Sequence, residues 1–193
     1  MAYTREQLEA VFFDDAARYW IDPNIGYRQI DKESRWNPNA VSPAGAKGIA
    51  QFMPDTAARF GLSNPFDPIA SLDAWGRYMR LMLDMFGGRY DLALAGYNSG
   101  ENRNEYKAAA REGRPINWAV LPGRVQSETR NYVVGILGSD APYVATSPGF
   151  EPGPDTFVLA DQTSLGASGD GVDGIPLLAL VIGGLVLIVI LAR

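Results

Sequence analysis

One acidic residue, Glu33, stands where a general acid could act, near the C-terminal end of a short helix predicted over residues 25–34. The negative end of the helix dipole disfavours a carboxylate there and favours the protonated acid. The chain that follows is rich in Pro, Asn and Gly until Met53-Pro54, where proline at the first helical position predicts a new helix. Residues 33–57 therefore predict a helix–loop–helix cradle that presents one carboxylate to a groove.

Cleavage of a glycosidic bond usually uses two carboxylates, and Asp31 and Asp55 are the nearest candidates to accompany Glu33. Asp31 lies two residues earlier, so on a helix it faces elsewhere. Asp55 falls in the first turn of the second cradle helix, where its charge suits the helix dipole. A lone carboxylate suffices if the substrate supplies the nucleophile. If a hydroxyl of the substrate attacks its own anomeric carbon, one Glu can act first as acid and then as base.

The composition excludes several other chemistries. The chain contains neither Cys nor His, so it cannot form a Ser-His-Asp triad, a Cys-His pair or a zinc site with Cys or His ligands. Residues 1–145 carry 16 Lys and Arg against 17 Asp and Glu, whereas residues 146–193 carry 1 against 5. Because the first part is nearly neutral, we expect no nucleic-acid partner. We also expect no metal or other cofactor.

Hydrophobic spacing predicts a mainly α-helical domain. This domain covers residues 1–137, and its predicted helices cover residues 4–20, 25–34, 53–60, 69–86, 91–98, 102–112 and 127–137. Thr4 and Gln7 form a capping box at the first helix, which Asp22 and Pro23 are predicted to end. Ser127 is predicted to cap the last helix.

After residue 137 the helical periodicity is lost. Residues 138–174 are rich in Gly, Ser, Pro and Asp, which predicts a flexible linker. Residues 175–192 contain no charged side chain, and as a helix they would be about 27 Å long, close to the hydrocarbon thickness of a bilayer. We therefore expect a C-terminal transmembrane helix over residues 175–192. The first twenty residues lack the apolar segment of an export signal.

Three ordered motifs carry a family resemblance. The first consists of Glu33-Ser34, Asn37-Pro38, Ala40, Ser42, Gly45-Ala46, Gly48, Gln51, Met53-Pro54 and Thr56-Ala57. The second is Ala93-Leu94-Ala95-Gly96-Tyr97-Asn98-Ser99-Gly100, and the third is Glu128-Thr129-Arg130-Asn131-Tyr132-Val133. In order and spacing they resemble the soluble lytic transglycosylases, members of the lysozyme-like superfamily in glycoside hydrolase family 23. The resemblance covers residues 22–137, and three motifs together argue against chance.

The resemblance implies a lysozyme-like α+β fold and cleavage of the β-1,4 bond between N-acetylmuramic acid and N-acetylglucosamine in peptidoglycan, leaving a 1,6-anhydromuramyl end. It implies that Glu33 is the catalytic acid and base. The substrate-binding residues that it implies are Ser42, Gln51, Met53, Tyr97, Asn98 and Tyr132. Of these, Tyr97, Asn98 and Tyr132 would also hold the Glu33 carboxyl. Glu128 would be a structural support of the groove.

The chain departs from the family pattern at two places. Ala50 stands where the common Gly-Leu-Met-Gln segment has Met, which suggests a looser pocket wall, and Glu101 interrupts the usual Gly-x-Gly run. Trp36 suits either stacking on a sugar or covering the hinge after the first cradle helix. Two alternatives to the transglycosylase remain open: a hydrolytic muramidase on the same fold, and a non-catalytic, membrane-anchored wall-binding protein.

A wall-cleaving enzyme with a terminal membrane segment and no recognisable export signal suits a bacteriophage component. Such a component would be carried in the virion or its membrane and would open the host wall locally during infection. The expected partners are then peptidoglycan strands, a lipid membrane through residues 175–192, and virion proteins.

Overall fold

The structure is a computed structural model that describes residues 3–144 and the backbone of residues 177–182 and 185–190. The chain divides into two compact units, Met1–Glu151 and Pro152–Arg193. Within residues 3–144 the first unit forms seven α-helices, a 3-10 turn and a π-helical turn: α1 (Arg5–Arg18), α2 (Pro23–Ser34), α3 (Pro54–Arg59), α4 (Pro68–Met85), α5 (Tyr90–Ser99), α6 (Asn104–Glu112), the 3-10 turn (Trp118–Val120), the π-helical turn (Val125–Thr129) and α7 (Arg130–Leu137). The prediction of a mainly helical unit is confirmed.

The capping box at the start of α1 is confirmed. The Thr4 hydroxyl accepts from the Gln7 backbone N–H at 3.2 Å, and the Gln7 side chain accepts from the Thr4 N–H at 2.9 Å. These bonds satisfy backbone donors that a helix leaves free at its N-terminus. One face of the helix, with Leu8 and Phe12 at its centre, is then buried against α4 and α2.

The start of α2 corrects the sequence prediction. Asp22 and Pro23 were expected to end the first helix, but they begin the second: the Asp22 carboxylate accepts from the N–H groups of Asn24 and Ile25, and Pro23 occupies the first turn. Both residues suit a helix N-terminus equally well, because Asp is a preferred cap and Pro lacks an N–H that would otherwise stay unpaired.

The core of the unit is built on α4 and α5. Asp67 caps α4, which packs against α1 and α5 and buries Trp75, Met79 and Leu83. Helix α5 is short and rich in Ala and Leu, and its residues from Tyr90 to Gly96 are all buried. The small side chains of α5 let α4, α6 and α7 pack against it from several directions, so α5 is the central helix of this unit.

The beginning of the last helix also differs from the prediction. Ser127 was expected to cap it, but residues Val125–Thr129 form a π-helical turn, and α7 starts at Arg130. The Ser127 hydroxyl donates to the carbonyls of Gly123 and Arg124, so it bonds back along the chain. A residue inside a continuous helical run cannot act as its N-cap.

Residues after α7 contact α5 up to the end of the first described range. The Tyr90 N–H donates to the Tyr143 carbonyl at 2.8 Å, and the Tyr143 N–H donates to the Asp91 carboxylate at 3.1 Å. Asp91 is buried and also receives two hydrogen bonds from the Arg89 guanidinium. The predicted linker, residues 138–174, thus begins with a segment that is bonded to α5; residues 145–174 lie outside the described residues.

In the second unit the described residues form two antiparallel strands, β1 (Leu177–Ile182) and β2 (Leu185–Ile190), with Leu177 opposite Ile190. These strands lie within residues 175–192, where the sequence predicts a helix, and the membrane span stays a prediction. The strands are rich in Val, Ile and Leu, and β-branched residues suit a strand as well as an apolar helix. Among the residues that the structure describes, no helix is both long and apolar enough to cross a bilayer.

Candidate active site

The site begins at the C-terminal end of α2, where Glu33 lies in the last turn. Arg35 and Trp36 follow in the left-handed region, with φ of 53° and 64°, and turn the chain away from the helix axis. Non-glycine residues adopt this conformation only when their surroundings hold them. Trp36 is buried in the core, and the Arg5 guanidinium lies 4.5 Å from its ring centre. Of its two expected roles, the structure shows Trp36 covering the hinge.

The cradle loop is held by short backbone ladders. Lys47 pairs with both Val41 and Phe52 as isolated β-bridges, so the loop folds into a compact double turn. Gly48 has φ of +79°, and a Cβ at this position would lie 1.8 Å from the Pro65 carbonyl oxygen. The loop is also tied to α2, because the Ser34 hydroxyl donates to the Ile49 carbonyl at 2.7 Å. These contacts place the loop beside Glu33.

The Glu33 carboxyl is half-buried between α2 and α7. The Tyr132 hydroxyl donates to Glu33 Oε1 at 2.5 Å. Burial raises the pKa of Glu33 to about 7, and the hydrogen bond from Tyr132 acts against this rise without cancelling it. Loss of hydration disfavours the charged form more strongly than one donor stabilises it. Glu33 can therefore hold a proton near neutral pH and can also release it.

Tyr97 lies on α5 beside the same carboxyl but bonds elsewhere. Its hydroxyl donates to the Ala50 carbonyl at 2.7 Å, and its ring packs on Tyr78 with centres 4.9 Å apart. Burial, and secondarily the nearby charge of Glu33, raise the pKa of Tyr97. Tyr97 thus anchors the cradle loop through the backbone of Ala50, whereas the structure shows the carboxyl of Glu33 bonded to Tyr132.

The cradle residues Ser42 and Gln51 use their polar groups to shape the loop. The Ser42 hydroxyl accepts from the Ala46 N–H at 3.0 Å. Gln51, with φ of 51°, donates from its side-chain amide to the carbonyls of Gly48 and Ala40, at 2.8 and 3.2 Å. Their side chains close turns of the cradle.

Met53 and Asn98 differ from these two in their exposure to solvent. Met53 stands just before α3 with 44% of its surface exposed. Asn98 is exposed on α5, and its side-chain oxygen accepts from the buried Thr129 hydroxyl at 2.8 Å. This bond joins α5 to the π-helical turn that leads into α7, and so helps to set the position of Tyr132.

Glu128 lies on the exposed face of the π-helical turn. Its carboxylate accepts from the Arg124 guanidinium at 2.9 Å, and both side chains are largely exposed. An exposed pair of this kind contributes about 0–1 kcal/mol to stability. The structure therefore brings Glu33, Tyr97 and Tyr132 together and places Glu128 in a separate surface pair.

The structure also adds residues that the motifs did not indicate. Gln29 is fully buried on α2, one turn before Glu33, and the i,i+4 spacing alone could have drawn attention to it. Glu101, the departure after the second motif, is buried and accepts from Arg59 at 2.6 Å and from the Tyr78 hydroxyl at 3.1 Å. Within the described residues no group of acidic side chains is arranged to hold a metal ion.

Comparison with known proteins agrees with the motifs. The chain matches the family model described as "Transglycosylase SLT domain" over residues 10–119. It is similar to a transglycosylase of Enterobacteria phage PRD1, with 28% identity over 137 residues that cover 71% of this chain and 47% of that protein. It is also similar to the soluble lytic murein transglycosylase of Escherichia coli K12, with 34% identity over 122 residues that cover 58% of this chain and 19% of that protein. The chain spans about half of the first relative and about a fifth of the second.

A solved structure has the same fold over the matched part. It is the 70 kDa soluble lytic transglycosylase of Escherichia coli, with a TM-score of 0.52 and 24% identity, and the match covers 68% of this chain and 23% of that one. At this identity the likeness shows the fold alone.

Proposed function

Because the chain belongs to the transglycosylase SLT domain family, we propose that it is a peptidoglycan lytic transglycosylase. It cleaves the β-1,4 bond between N-acetylmuramic acid and N-acetylglucosamine and leaves a 1,6-anhydromuramyl end. The observation that carries this proposal is the state of Glu33: a half-buried carboxyl with a pKa of about 7 that accepts a hydrogen bond from Tyr132. An acid that can donate and then recover a proton at neutral pH suits a reaction that needs both steps.

The reaction proceeds with Glu33 first as acid. Protonated Glu33 donates its proton to the glycosidic oxygen, and the bond from that oxygen to the anomeric carbon of the muramyl residue breaks. The N-acetylglucosamine side leaves with a free hydroxyl. The positive charge that develops on the muramyl ring faces the newly formed Glu33 carboxylate, which Tyr132 stabilises by its hydrogen bond.

Glu33 then acts as base. The C6 hydroxyl of the same muramyl residue attacks the anomeric carbon, and the Glu33 carboxylate takes its proton. One carbon–oxygen bond has been exchanged for another, no water is consumed, and Glu33 is protonated for the next cycle. Burial, and not a second carboxylate, raises the pKa of Glu33, which agrees with a mechanism that uses a single acid.

Apart from Tyr132, which bonds to Glu33, the substrate-binding residues divide into two groups in this proposal. Met53 and Asn98 are exposed and can contact the glycan directly. Ser42, Gln51 and Tyr97 act by holding the cradle in shape through the bonds described above. Substitutions in the first group should therefore change KM. Substitutions in the second group should impair folding of the cradle loop and lower the turnover rate.

The test is a Glu33→Gln variant assayed on purified peptidoglycan. Gln keeps the size of the side chain but cannot donate or take up the proton, so we expect activity to fall about a hundredfold to ten-thousandfold. Glu6→Gln is the matched control, because Glu6 is exposed on α1, and it should keep wild-type activity. A Glu33→Gln protein that still clears a wall suspension would refute the assignment of Glu33.

We also propose where this activity is delivered. The apolar run over residues 175–192 and the similarity to a phage PRD1 transglycosylase support a membrane-associated phage protein that opens the wall locally during infection. Peptidoglycan, lipid and virion proteins are its partners in this proposal. Purified particles of the source phage, probed with an antibody to the helical unit, should contain the protein; its absence from them would contradict the proposal.

A further inference from the structure

Gln29 is a fully buried polar residue on α2, one turn before Glu33. The Trp75 indole N–H donates to Gln29 Oε1 at 3.0 Å, and both side chains are fully buried. The indole nitrogen can only donate, so the oxygen of the Gln29 amide must face Trp75 and its nitrogen must face the other way. Helix α2 approaches Trp75 closely at Gly26, where a Cβ would lie 2.6 Å from the ring, and this approach fixes the geometry.

The nitrogen of the Gln29 amide, Nε2, is at the end opposite the oxygen that accepts from Trp75. This nitrogen is buried and has no hydrogen-bond partner that meets normal geometry within the described residues. Gln29 and Glu33 stand four residues apart, so both side chains lie on the face of α2 that packs against α7, from which Tyr132 reaches Glu33. Burial raises the pKa of Tyr132, and Gln29 acts against this rise. A buried amide N–H without a partner costs stability, and such groups are concentrated where function requires them.

We propose that Gln29 is a positioning residue that, held by Trp75, presents its amide N–H to the Tyr132 hydroxyl oxygen and so directs the Tyr132 O–H onto Glu33. This inference rests on the proposed function, because it assigns a role in the acid–base cycle of Glu33. Each group in the series from Trp75 to Glu33 then donates to the next. The direction of every bond is set by the indole, which cannot accept.

The fixed direction decides which oxygen of Glu33 carries the catalytic proton. Glu33 Oε1 is the acceptor for Tyr132, so in this proposal the proton of the acid form is on Oε2, which donates it to the glycan. Without Gln29 the Tyr132 hydroxyl could rotate and accept from Glu33, which would turn the proton away from the substrate. Among the described residues, the titratable groups that face the carboxyl are Tyr132 from α7 and Tyr97 from α5.

The test replaces Gln29 with Met, which has a similar length and no amide. Loss of the directing N–H should lower kcat on purified glycan strands roughly tenfold while KM stays within about twofold. The pKa of Glu33, followed by carbon NMR of labelled Glu side chains, should rise by roughly half a pH unit, because a less firmly directed Tyr132 stabilises the carboxylate less.

Tyr106→Phe is the matched control. Tyr106 is also fully buried, and its hydroxyl bonds to Ser99 on α5. The control should lose some thermal stability but keep the wild-type kcat and the wild-type pKa of Glu33. If Gln29→Met changes only the melting temperature, as the control does, Gln29 is merely structural and the inference is wrong.

Two further measurements separate the possible failures. If wild-type protein releases no glycan fragments, the proposed function fails, whereas active wild type with an unaltered Gln29→Met profile contradicts the inference alone. If Gln29→Met does not fold, Trp75→Phe takes its place, since it keeps Gln29 but removes the donor that orients the amide. It should raise the pKa of Glu33 in the same direction by a smaller amount, and an unchanged pKa would overturn the proposal.

Discussion

At the scale of residues, the proposed acid–base chemistry depends on the burial of the Glu33 carboxyl. Glu33 keeps a proton near neutral pH because burial removes water from its carboxylate. The hydrogen bond from Tyr132 stabilises the carboxylate by less than this loss of hydration destabilises it. A pKa of about 7 leaves both protonation states well populated at physiological pH. The same residue can thus serve as acid in one step and base in the next, which a normal Glu could not do equally well.

This arrangement should reduce stability above the normal pKa of Glu. The folded protein holds the Glu33 proton up to about pH 7, whereas the unfolded chain releases it near 4.5, so the free energy of unfolding falls as the pH rises through this window. Glu33→Gln removes the buried charge and can still accept from Tyr132. We expect the variant to match wild type at pH 4 and to exceed it at pH 8 by about 3 kcal/mol in urea unfolding.

The comparison between the two proteins isolates Glu33. Asp15 is also buried, and its pKa is raised to about 6, so it makes wild-type stability fall with pH in an overlapping range. Because Asp15 is present in both proteins, its contribution cancels in the difference. Equal stabilities at pH 8 would show that the carboxyl of Glu33 is better hydrated than the structure indicates.

The sequence predicted the residue types of the site better than their contacts. Glu33 and Tyr132 could be placed from the motifs, and the structure joins them. The bonds of Tyr97 to the Ala50 carbonyl and of Gln51 to loop carbonyls could not be predicted. A motif specifies which side chain is present, whereas the choice of partner depends on backbone carbonyls that the folded loop brings within reach.

At the scale of elements, the cradle loop needs glycine for two different reasons. Gly48 combines a positive φ with a Cβ direction that points into the Pro65 carbonyl. Gly45 has φ of +90°, but within residues 3–144 no atom beyond its chain neighbours lies within 4 Å of the position that a Cβ would occupy there. The first position is restricted by both backbone strain and contact, and the second by backbone strain alone.

Substitution by Ala should separate the two restrictions. Gly45→Ala should destabilise the protein by about 1 kcal/mol, the cost of placing a Cβ in the left-handed region. Gly48→Ala should cost several times as much, about 3 kcal/mol or more, because the loop must also move away from Pro65. Urea unfolding of both variants measures this difference, and equal costs would contradict the close approach of the loop to Pro65.

The sequence predicted most helices because local signals and tertiary packing agree there. The cap at Thr4 and the proline at Pro54 mark true helix starts. The prediction failed at Asp22 and Ser127, where the same residue type has more than one use. Asp22 suits the end of one helix or the start of the next, and Ser127 lies in a π-helical turn that is joined to α5 through Thr129.

At the scale of the whole molecule, the acidic, apolar tail should determine where the enzyme works. The chain divides into two compact units, and the described residues of the candidate site lie in the first. We expect the full chain to sediment with phosphatidylglycerol-containing vesicles, and a chain ending at Val144 to remain in the supernatant while it still cleaves purified glycan. Equal vesicle binding by the two proteins would contradict a role for residues 175–192.

The central claim concerns the fate of the muramyl end, and it is tested most directly by digesting peptidoglycan in water enriched with heavy oxygen. If the C6 hydroxyl is the nucleophile, mass analysis should show products that end in 1,6-anhydromuramic acid and contain no heavy oxygen at that end. Glu33→Gln should release none of them. Reducing ends that carry the heavy isotope would show that water attacks the anomeric carbon, and the protein would then be a hydrolytic muramidase.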